Sequence, residues 1–183
     1  CYNEEEVLPL FHTEILRVSK EMSEKNPGLE FEFLFIDDGS KDGTLDILRK
    51  YSAEDKRFRY ISFSRNFGKE AGMLAGMEHS KGDYVVIMDA DLQHPPSFLP
   101  EMYEYVSSGE YDSASTQRTS RKGEPKLLSF FARSFYKVIN KISQTHITES
   151  TSDFRFMTRQ MVDAILSMQE YNRFSKGIFS WVG

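Results

Sequence analysis

Apolar and polar residues recur along this chain in two different periods, which predict helices and strands. Near the start, apolar residues at steps of three and four predict a helix over residues 7–22. The run FEFLFI at 31–36 is continuously apolar and lies between NPG and DDGS. Such a run is typical of a strand that is buried on both faces. On pattern alone, the chain begins as a helix followed by a buried strand.

The same alternation continues as far as residue 117. Further helices are predicted at DGTLDILRKY, at KEAGMLAGMEHS and near 97–107, and further strands at 59–64, 83–88 and near 112–117. Strands that alternate with helices at this spacing predict an α/β fold with a mostly parallel central sheet and helices on both faces. The sequence has no internal repeat and no break in composition, so residues 1–183 are expected to form a single domain.

The two ends of the sequence predict that it is a fragment of a longer protein. It opens on CYNEEE with no strand before it and stops inside the apolar run FSWVG. No stretch approaches the roughly 20 apolar residues that a membrane helix needs. We therefore expect that a first strand and any C-terminal membrane helices are missing from the sequence.

Charge is distributed unevenly along the chain. The net charge of −5 argues against broad nucleic-acid binding, and the single cysteine, Cys1, excludes an internal disulfide. Residues 118–141, however, contain seven cationic side chains and one anionic side chain, and include the amphipathic stretch KLLSFFARSFYKVINKI. This stretch can be a core helix with a solvated basic face. It can equally be a helix that lies at an anionic membrane surface or holds a phosphate.

Two acidic pairs follow predicted strands. Asp37 and Asp38 end the strand at 31–36, and Asp89 and Asp91 end the strand at 83–88. Ligands of open parallel sheets bind beyond the carboxyl ends of the strands, so both pairs are expected to face one crevice. Four carboxylates on one rim repel one another unless a cation compensates them, and oxygen ligands of this kind suit Mg²⁺ or Mn²⁺. The sequence thus predicts a cation there, together with a phosphate.

Simpler explanations apply to some neighbouring residues. Asp42, before Gly43, is expected to form a turn or cap a helix. His94 stands beside two prolines and is expected to be structural, because no His, Cys and Asp spacing supports a metal site of its own. Three glycines recur every four residues and should form one bare helix face that packs closely on the sheet, with ligand contact as the less favoured alternative. They are Gly68, Gly72 and Gly76.

Four stretches together carry a family resemblance. They are CYNEEEVLPLF, FIDDGSKDGTLDIL, SRNFGKEAGMLAGMEHSKGDYVVIMDADLQHPP and TSDFRFMTRQ. The chain resembles family-2 glycosyltransferases of the GT-A fold, and within them the polyprenyl-phosphate glycosyltransferases, such as dolichol-phosphate mannose synthases and undecaprenyl-phosphate glucosyltransferases. An Asp-x-Asp triplet alone is weak support. DDGS followed by a strand-borne DADLQHPP is specific, because order, spacing and context agree.

The resemblance implies roles for individual residues. The nucleotide-sugar-binding residues would be Tyr2, Glu4, Asp37, Asp38, Lys69, Asp89 and Ala90. Mg²⁺ or Mn²⁺ would be held by Asp89, Asp91 and Gln93. Asp91 and Asp153 would be catalytic, with Asp153 near the acceptor, where it orients the acceptor or assists proton transfer. Arg118 and Arg133 of the basic segment are candidates for binding the acceptor phosphate, because arginine makes bidentate contacts to phosphate.

The reaction implied is transfer of a hexosyl group, with inversion, from a nucleotide-diphosphate sugar to a polyprenyl phosphate. A UDP-sugar is the preferred donor, and the protein is expected at the cytoplasmic face of the cell membrane, in contact with the membrane surface. Nucleic acid is not an expected partner, and a homo-oligomer is left open.

Three alternatives differ in acceptor or in class. A saccharide hydroxyl acceptor in cell-surface polysaccharide synthesis is the main one. A phosphoacceptor receiver domain is shorter than this chain and lacks the Asp-x-Asp pattern. An inactive transferase fold that only binds a nucleotide is disfavoured by the joint presence of Asp38, Asp89, Asp91 and Asp153.

Overall fold

The structure is a computed structural model that describes residues 1–117, 151–168 and 175–182. Helices and strands alternate up to β4, as the sequence predicts. The elements are α1 (Leu8–Lys25), β1 (Phe33–Asp37), α2 (Thr44–Glu54), β2 (Phe58–Ser62), α3 (Lys69–His79), β3 (Tyr84–Ile87), a 3₁₀ turn (Pro96–Phe98), α4 (Leu99–Ser107), β4 (Ser113–Gln117), β5 (Thr151–Thr158), α5 (Arg159–Ser167) and α6 (Ser175–Val182). The amphipathic helix predicted at KLLSFFARSFYKVINKI, in the basic segment 118–141, lies outside the described residues.

The strands form two ladders. β1 and β2 pair in parallel, from Phe33 opposite Phe58 to Asp37 opposite Ser62. β5 lies between β3 and β4 and is antiparallel to both, so β3 and β4 run in the same direction. The predicted α/β class is confirmed, and β5 is an antiparallel strand that the hydrophobic pattern did not predict.

The larger hydrophobic core lies between α1, α4 and the strands. Phe11, Ile15, Val18 and Met22, which predicted α1, are buried in it, and the helix continues to Lys25, three residues beyond the predicted end. Phe154 and Phe156 of β5 are buried in the same core. Each fully buried side chain of this size contributes roughly 1.5–3 kcal/mol. A smaller core of α3, α5, α6 and the opposite face of β3 and β5 includes Met77, Val85 and Met157.

Burial along β1 differs from the prediction. Phe33, Phe35 and Asp37 are buried, whereas the intervening Leu34 and Ile36 are only partly buried. The expectation of a strand buried on both faces is therefore wrong for one face. α3 packs on that face through its glycines, which have no side chains. It therefore shields Leu34 and Ile36 from solvent less completely than a helix with large side chains would.

Two of the three spaced glycines of α3 confirm the predicted packing. A Cβ atom at Gly72 or Gly76 would lie 3.7 Å from the Ile36 side chain. Gly68 differs, because a Cβ there would meet nothing within 4 Å, but its φ of +92° is one that residues with a side chain rarely adopt. Gly68 is therefore needed for the turn that starts α3 and not for packing. Within the described ranges, no helix combines the length and the apolar character needed to cross a membrane.

Candidate active site

Residues 1–5 are bonded to the loop that follows β1, and the two segments form what we call the N-terminal wall, residues 1–5 and 38–44. Asp38 N donates to Cys1 O, at 2.9 Å. Asn3, Glu4 and Glu5 continue the contact through bonds of 2.6–3.1 Å. These are Asn3 N to Ser40 Oγ, Lys41 N to Asn3 Oδ1, Glu4 N to Thr44 Oγ1, Glu5 N to Asp42 Oδ2 and Gly43 N to Glu5 Oε2. Two segments distant in sequence thereby become one surface beside the end of β1.

Asp42 forms the turn that was predicted for it. Its Oδ1 accepts a hydrogen bond from Thr44 N at 3.1 Å, at the start of α2. Its Oδ2 accepts the bond from Glu5 N, so the same carboxylate also fastens the two parts of the wall.

The first acidic pair points into the protein. Asp37 is 1% exposed, and its carboxylate accepts hydrogen bonds from Ser40 N at 3.0 Å and Ser62 Oγ at 2.7 Å. Asp38 accepts from Phe67 N at 2.6 Å and Gly68 N at 2.9 Å, just before α3. A carboxylate there also interacts favourably with the positive end of the helix dipole. Asp37 therefore fixes the loop and Asp38 fixes the start of α3, while direct contact of either with a nucleotide stays a prediction.

Gly39→Ala should destabilise the protein more than strain alone explains. Gly39 has a φ of +71°, and a Cβ there would lie 2.5 Å from the backbone carbon of Arg65. The left-handed backbone costs roughly 1–2 kcal/mol with a side chain, and the clash adds to it because backbone must move. We expect a loss of about 3 kcal/mol or more in the free energy of unfolding, measured in urea.

Gly28→Ala is the matched control for this substitution. Gly28 has a φ of +92°, and a Cβ there would meet nothing within 4 Å, so it should show the backbone strain alone. If the two variants lose the same unfolding free energy, the backbone around Arg65 moves away from the new Cβ at little energetic cost.

Asp89 of the second acidic pair lies beside Asp153. Ile87, the last residue of β3, pairs with Arg155 of the antiparallel β5. Continuing this register by two residues places Asp89 next to Asp153, on the same side of the sheet. Lys69, the first residue of α3, joins them, with Nζ 2.7 Å from Asp89 Oδ2 and 2.9 Å from Asp153 Oδ2. A single ammonium group thus bridges two carboxylates from neighbouring strands.

Asp153 lies in an irregular part of β5. Ser115 of β4 pairs with Arg155, yet Gln117 pairs with Thr151, so β5 has extra residues between these two pairs. Bulges of this kind re-aim side chains and are common next to active sites. Ser152 Oγ accepts from Phe154 N at 3.1 Å and hydrogen-bonds His94 Nε2 at 2.8 Å. His94 thereby ties the DADLQHPP loop to this bulge, which agrees with its predicted structural role.

Glu4, Asp89, Asp91 and Asp153 together make what we call the acidic edge. The pKa of Glu4 is raised by burial and by the charges of Asp91, Asp42 and Asp89. Burial opposes the charge of Lys69, but hydrogen bonds to Asp153 and Asp89 outweigh it and raise the pKa of the ammonium group. Among the described residues, Lys69 forms ion pairs with two of these four carboxylates, which leaves the edge with an excess of negative charge.

This excess of negative charge suits a divalent cation. Asp89 and Asp91 are partly exposed and offer carboxylate oxygens, the ligand type that Mg²⁺ and Mn²⁺ prefer. Among the described residues, no group of three or more His, Cys, Asp or Glu side chains is arranged as a metal site. Mg²⁺ commonly needs only one or two carboxylates, with phosphates and water completing its shell. The donor set therefore fits the ion, and the ligation itself stays a prediction.

The remaining predicted site residues have different surroundings. Tyr2 is 41% exposed on the N-terminal wall, whereas Ala90 is 7% exposed and packs in the larger core. Gln93 is exposed, and its backbone N donates to Asp91 Oδ1 at 2.9 Å. Arg118 and Arg133 lie outside the described residues. The acidic edge is thus the part of the predicted site that the fold brings together.

Comparison with known proteins shows the family. Residues 1–166 match the family described as Glycosyl transferase family 2. The chain belongs to this family. It is 41% identical over 182 residues to a bactoprenol glucosyl transferase of Shigella phage SfX, and 40% identical over 182 residues to a prophage bactoprenol glucosyl transferase homolog of Escherichia coli (strain K12). Each match covers 100% of this chain and 58% of the relative, so the chain spans little more than half the length of these curated relatives.

Solved structures confirm the fold class. Staphylococcus aureus TarS 1–349 superposes with a TM-score of 0.60 at 17% identity, over 98% of this chain and 51% of that one. The mannosyltransferase PcManGT from Pyrobaculum calidifontis, in complex with GDP-Man and Mn²⁺, gives 0.56 at 18% identity, over 90% of this chain and 44% of that one. The predicted GT-A fold of a family-2 glycosyltransferase is therefore confirmed.

One charged residue of this family-2 chain was not singled out in the sequence. Arg155 is 7% exposed, donates from Nη1 to Ser113 Oγ at 3.0 Å and lies 4.8 Å from the centre of the Phe179 ring. Its Nε is buried and, within the described ranges, has no hydrogen-bond partner. Burial lowers the pKa of this guanidinium, and the charge of Asp153 opposes that shift. The cation is therefore only partly compensated by its surroundings.

Arg155→Met should unfold at no lower temperature than the wild type. Methionine fills similar space and removes a cation whose burial is poorly compensated. Arg159→Met is the control, because that guanidinium makes three hydrogen bonds, to Gly82 O and Ser80 Oγ. Its loss should cost about 1.5–3 kcal/mol. The unfolding temperatures of the two variants are compared. If Arg155→Met loses as much stability as Arg159→Met, the stacking of Arg155 on Phe179 stabilises the fold.

Proposed function

We propose that this chain is the catalytic domain of an inverting glycosyltransferase that moves a hexosyl group from a nucleotide-diphosphate sugar to a polyprenyl phosphate. The observation that carries the proposal is the Lys69 bridge between Asp89 and Asp153, because it joins the Asp-x-Asp segment to a second acidic group at one edge of the sheet. The relatives named bactoprenol glucosyl transferases support glucose as the sugar and a polyprenyl lipid as the acceptor.

The donor is proposed to bind between the N-terminal wall and the part of the acidic edge formed by Asp89 and Asp91. Tyr2 is exposed and offers an aromatic face for a base, with Glu4 and Asp38 on the same wall. Aromatic stacking is tolerant of base identity, so the preference for a UDP-sugar rests on the resemblance to bacterial glucosyltransferases. Lys69 and the backbone around Ala90 would contact the diphosphate.

A divalent ion, Mg²⁺ or Mn²⁺, would be held by Asp89, Asp91 and Gln93. When bound there, it would act as a Lewis acid that stabilises the departing diphosphate. Asp91 supplies charge to this site, while the bond from Gln93 N to Asp91 Oδ1 orients the carboxylate.

The acceptor needs positioning more than activation. A phosphomonoester has a second pKa near 6 and is therefore largely ionised at pH 7. Arg118 and Arg133 are proposed to hold it, and Asp153 to orient it or to accept a proton. A lipid acceptor implies work at the membrane surface, and we propose the cytoplasmic face of the cell membrane, with residues 1–183 as one catalytic domain of a longer protein.

The decisive experiment uses the full-length protein in detergent. It is offered labelled UDP-glucose, UDP-N-acetylglucosamine and GDP-mannose, with and without undecaprenyl phosphate and Mg²⁺ or Mn²⁺, and label is counted in the organic phase. Label that requires both acceptor and metal would support the proposal and name the sugar. Tight nucleotide binding without lipid-linked label from any donor would overturn the lipid acceptor and favour a saccharide hydroxyl.

A further inference from the structure

The position of Lys69 is not explained by the helix that carries it. Lys69 is the first residue of α3, where the helix dipole disfavours a positive side chain. Asp38 holds the backbone just before it, through Phe67 N and Gly68 N, and so fixes where the lysine side chain starts. The compensating contacts are the bonds to Asp89 and Asp153 at 2.7 and 2.9 Å. The two carboxylates therefore account for a lysine at this position.

The Lys69 bridge holds two like charges close together. Asp89 and Asp153 come from neighbouring strands and would repel each other without the ammonium group. Asp91 and Glu4 are not part of this bridge, and the raised pKa of Glu4 reflects, besides burial, the charges of Asp91 and Asp89 nearby. Lys69 thus compensates the Asp89 side of the acidic edge, whereas in the described part of the chain no ion pair reaches Asp91.

A divalent ion held at Asp89 would compete with Lys69 for this carboxylate. An ion held by Asp89 and Asp91 requires the Asp89 carboxylate, whose Oδ2 the lysine already occupies. If both cations shared that carboxylate, they would repel each other at short range. The ion is therefore easier to admit when an anionic diphosphate arrives with it, because the diphosphate adds charge that both cations can share.

We propose that Lys69 is an internal counterion that occupies Asp89 before the metal does, and that it makes metal and donor bind cooperatively. In the free protein it lowers the affinity for the metal alone. When metal and diphosphate bind together, Lys69 leaves Asp89, keeps Asp153 and turns towards the diphosphate. This inference rests on the proposed metal site at Asp89 and Asp91.

The test measures Mn²⁺ binding and not turnover. Free Mn²⁺ is followed by electron paramagnetic resonance with the full-length protein, with and without UDP. We expect the wild type to bind Mn²⁺ about tenfold more tightly with UDP, within the usual range of coupling between sites. Lys69→Gln should bind Mn²⁺ alone several-fold more tightly than the wild type, and UDP should then increase the affinity by a smaller factor than in the wild type.

Two matched variants keep the result specific. Lys69→Arg retains the charge and should preserve the coupling, and Lys81→Gln removes an exposed lysine between α3 and β3 and should behave as the wild type. One contrary result is that Lys69→Gln binds Mn²⁺ no more tightly than the wild type while Asp91→Asn loses Mn²⁺ binding. That result would overturn the counterion role of Lys69 but would still support the metal site. Wild-type Mn²⁺ binding in Asp91→Asn would overturn the metal site and the counterion role with it.

Discussion

Asp91→Asn is expected to abolish metal-dependent binding of the donor nucleotide while leaving the fold intact. Asparagine has the same size and its oxygen can still accept the bond from Gln93 N, so the loop should keep its shape. What is lost is the negative charge of Asp91, to which none of the described residues forms an ion pair. Loss of one group that stabilises developing charge typically lowers turnover by about 10²–10³-fold, and we expect a loss of that order in kcat/KM.

Calorimetry with UDP, in the presence and absence of Mn²⁺, measures this effect directly. Asp163→Asn is the matched control, because Asp163 is an exposed aspartate on α5. It should bind UDP and Mn²⁺ as the wild type does. If Asp91→Asn keeps the Mn²⁺-dependent part of UDP binding, Asp91 does not belong to the metal site.

Asp153→Asn should reduce transfer strongly and spare the donor. Asp153 is close enough to share Lys69 with Asp89, yet it lies on β5 and outside the Asp-x-Asp segment. If it assists a proton or orients the acceptor, its loss should lower kcat by about 10²–10⁴-fold. The KM for the donor should change only a few-fold, since Lys69 is the proposed donor contact that Asp153 touches and the others lie on the N-terminal wall and around Asp89.

Steady-state kinetics with donor and acceptor varied separately distinguish these outcomes. Asp83→Asn, at an exposed position just before β3, serves as the control and should leave both parameters unchanged. A parallel loss of donor affinity in Asp153→Asn would assign Asp153 to the donor site. In that case the counterion bridge would be a part of donor binding alone.

Local patterns predicted the elements well, because helix and strand periods depend on neighbouring residues. The start of α1 and the whole of α3 were predicted within a residue or two, and Asp89 and Asp91 do follow a strand at the acidic edge. The inward orientation of the Asp38 side chain was not predictable, since its hydrogen-bond partners are the backbone N–H groups of Phe67 and Gly68. Nothing near Asp38 in sequence specifies that pairing.

Long-range pairing was the main part that the sequence left undetermined. The resemblance pointed to Asp153, but the antiparallel insertion of β5 and its bulge depend on pairing with β3 and β4. The pairing of Ile87 with Arg155 is what brings Asp89 and Asp153 to the same lysine. Arg155 was not singled out because a single arginine in a strand carries no pattern, and its surroundings include Phe179 of α6.

The N-terminal wall has a consequence for selectivity. Its two segments are joined by hydrogen bonds of Asn3, Glu4 and Glu5 within the protein itself. Most of the ordering entropy of this surface is therefore lost during folding and not on ligand capture. If this wall binds the donor as proposed, it discriminates by shape and not by closing around the ligand, so nucleotides that differ in the base should differ chiefly in their dissociation rates.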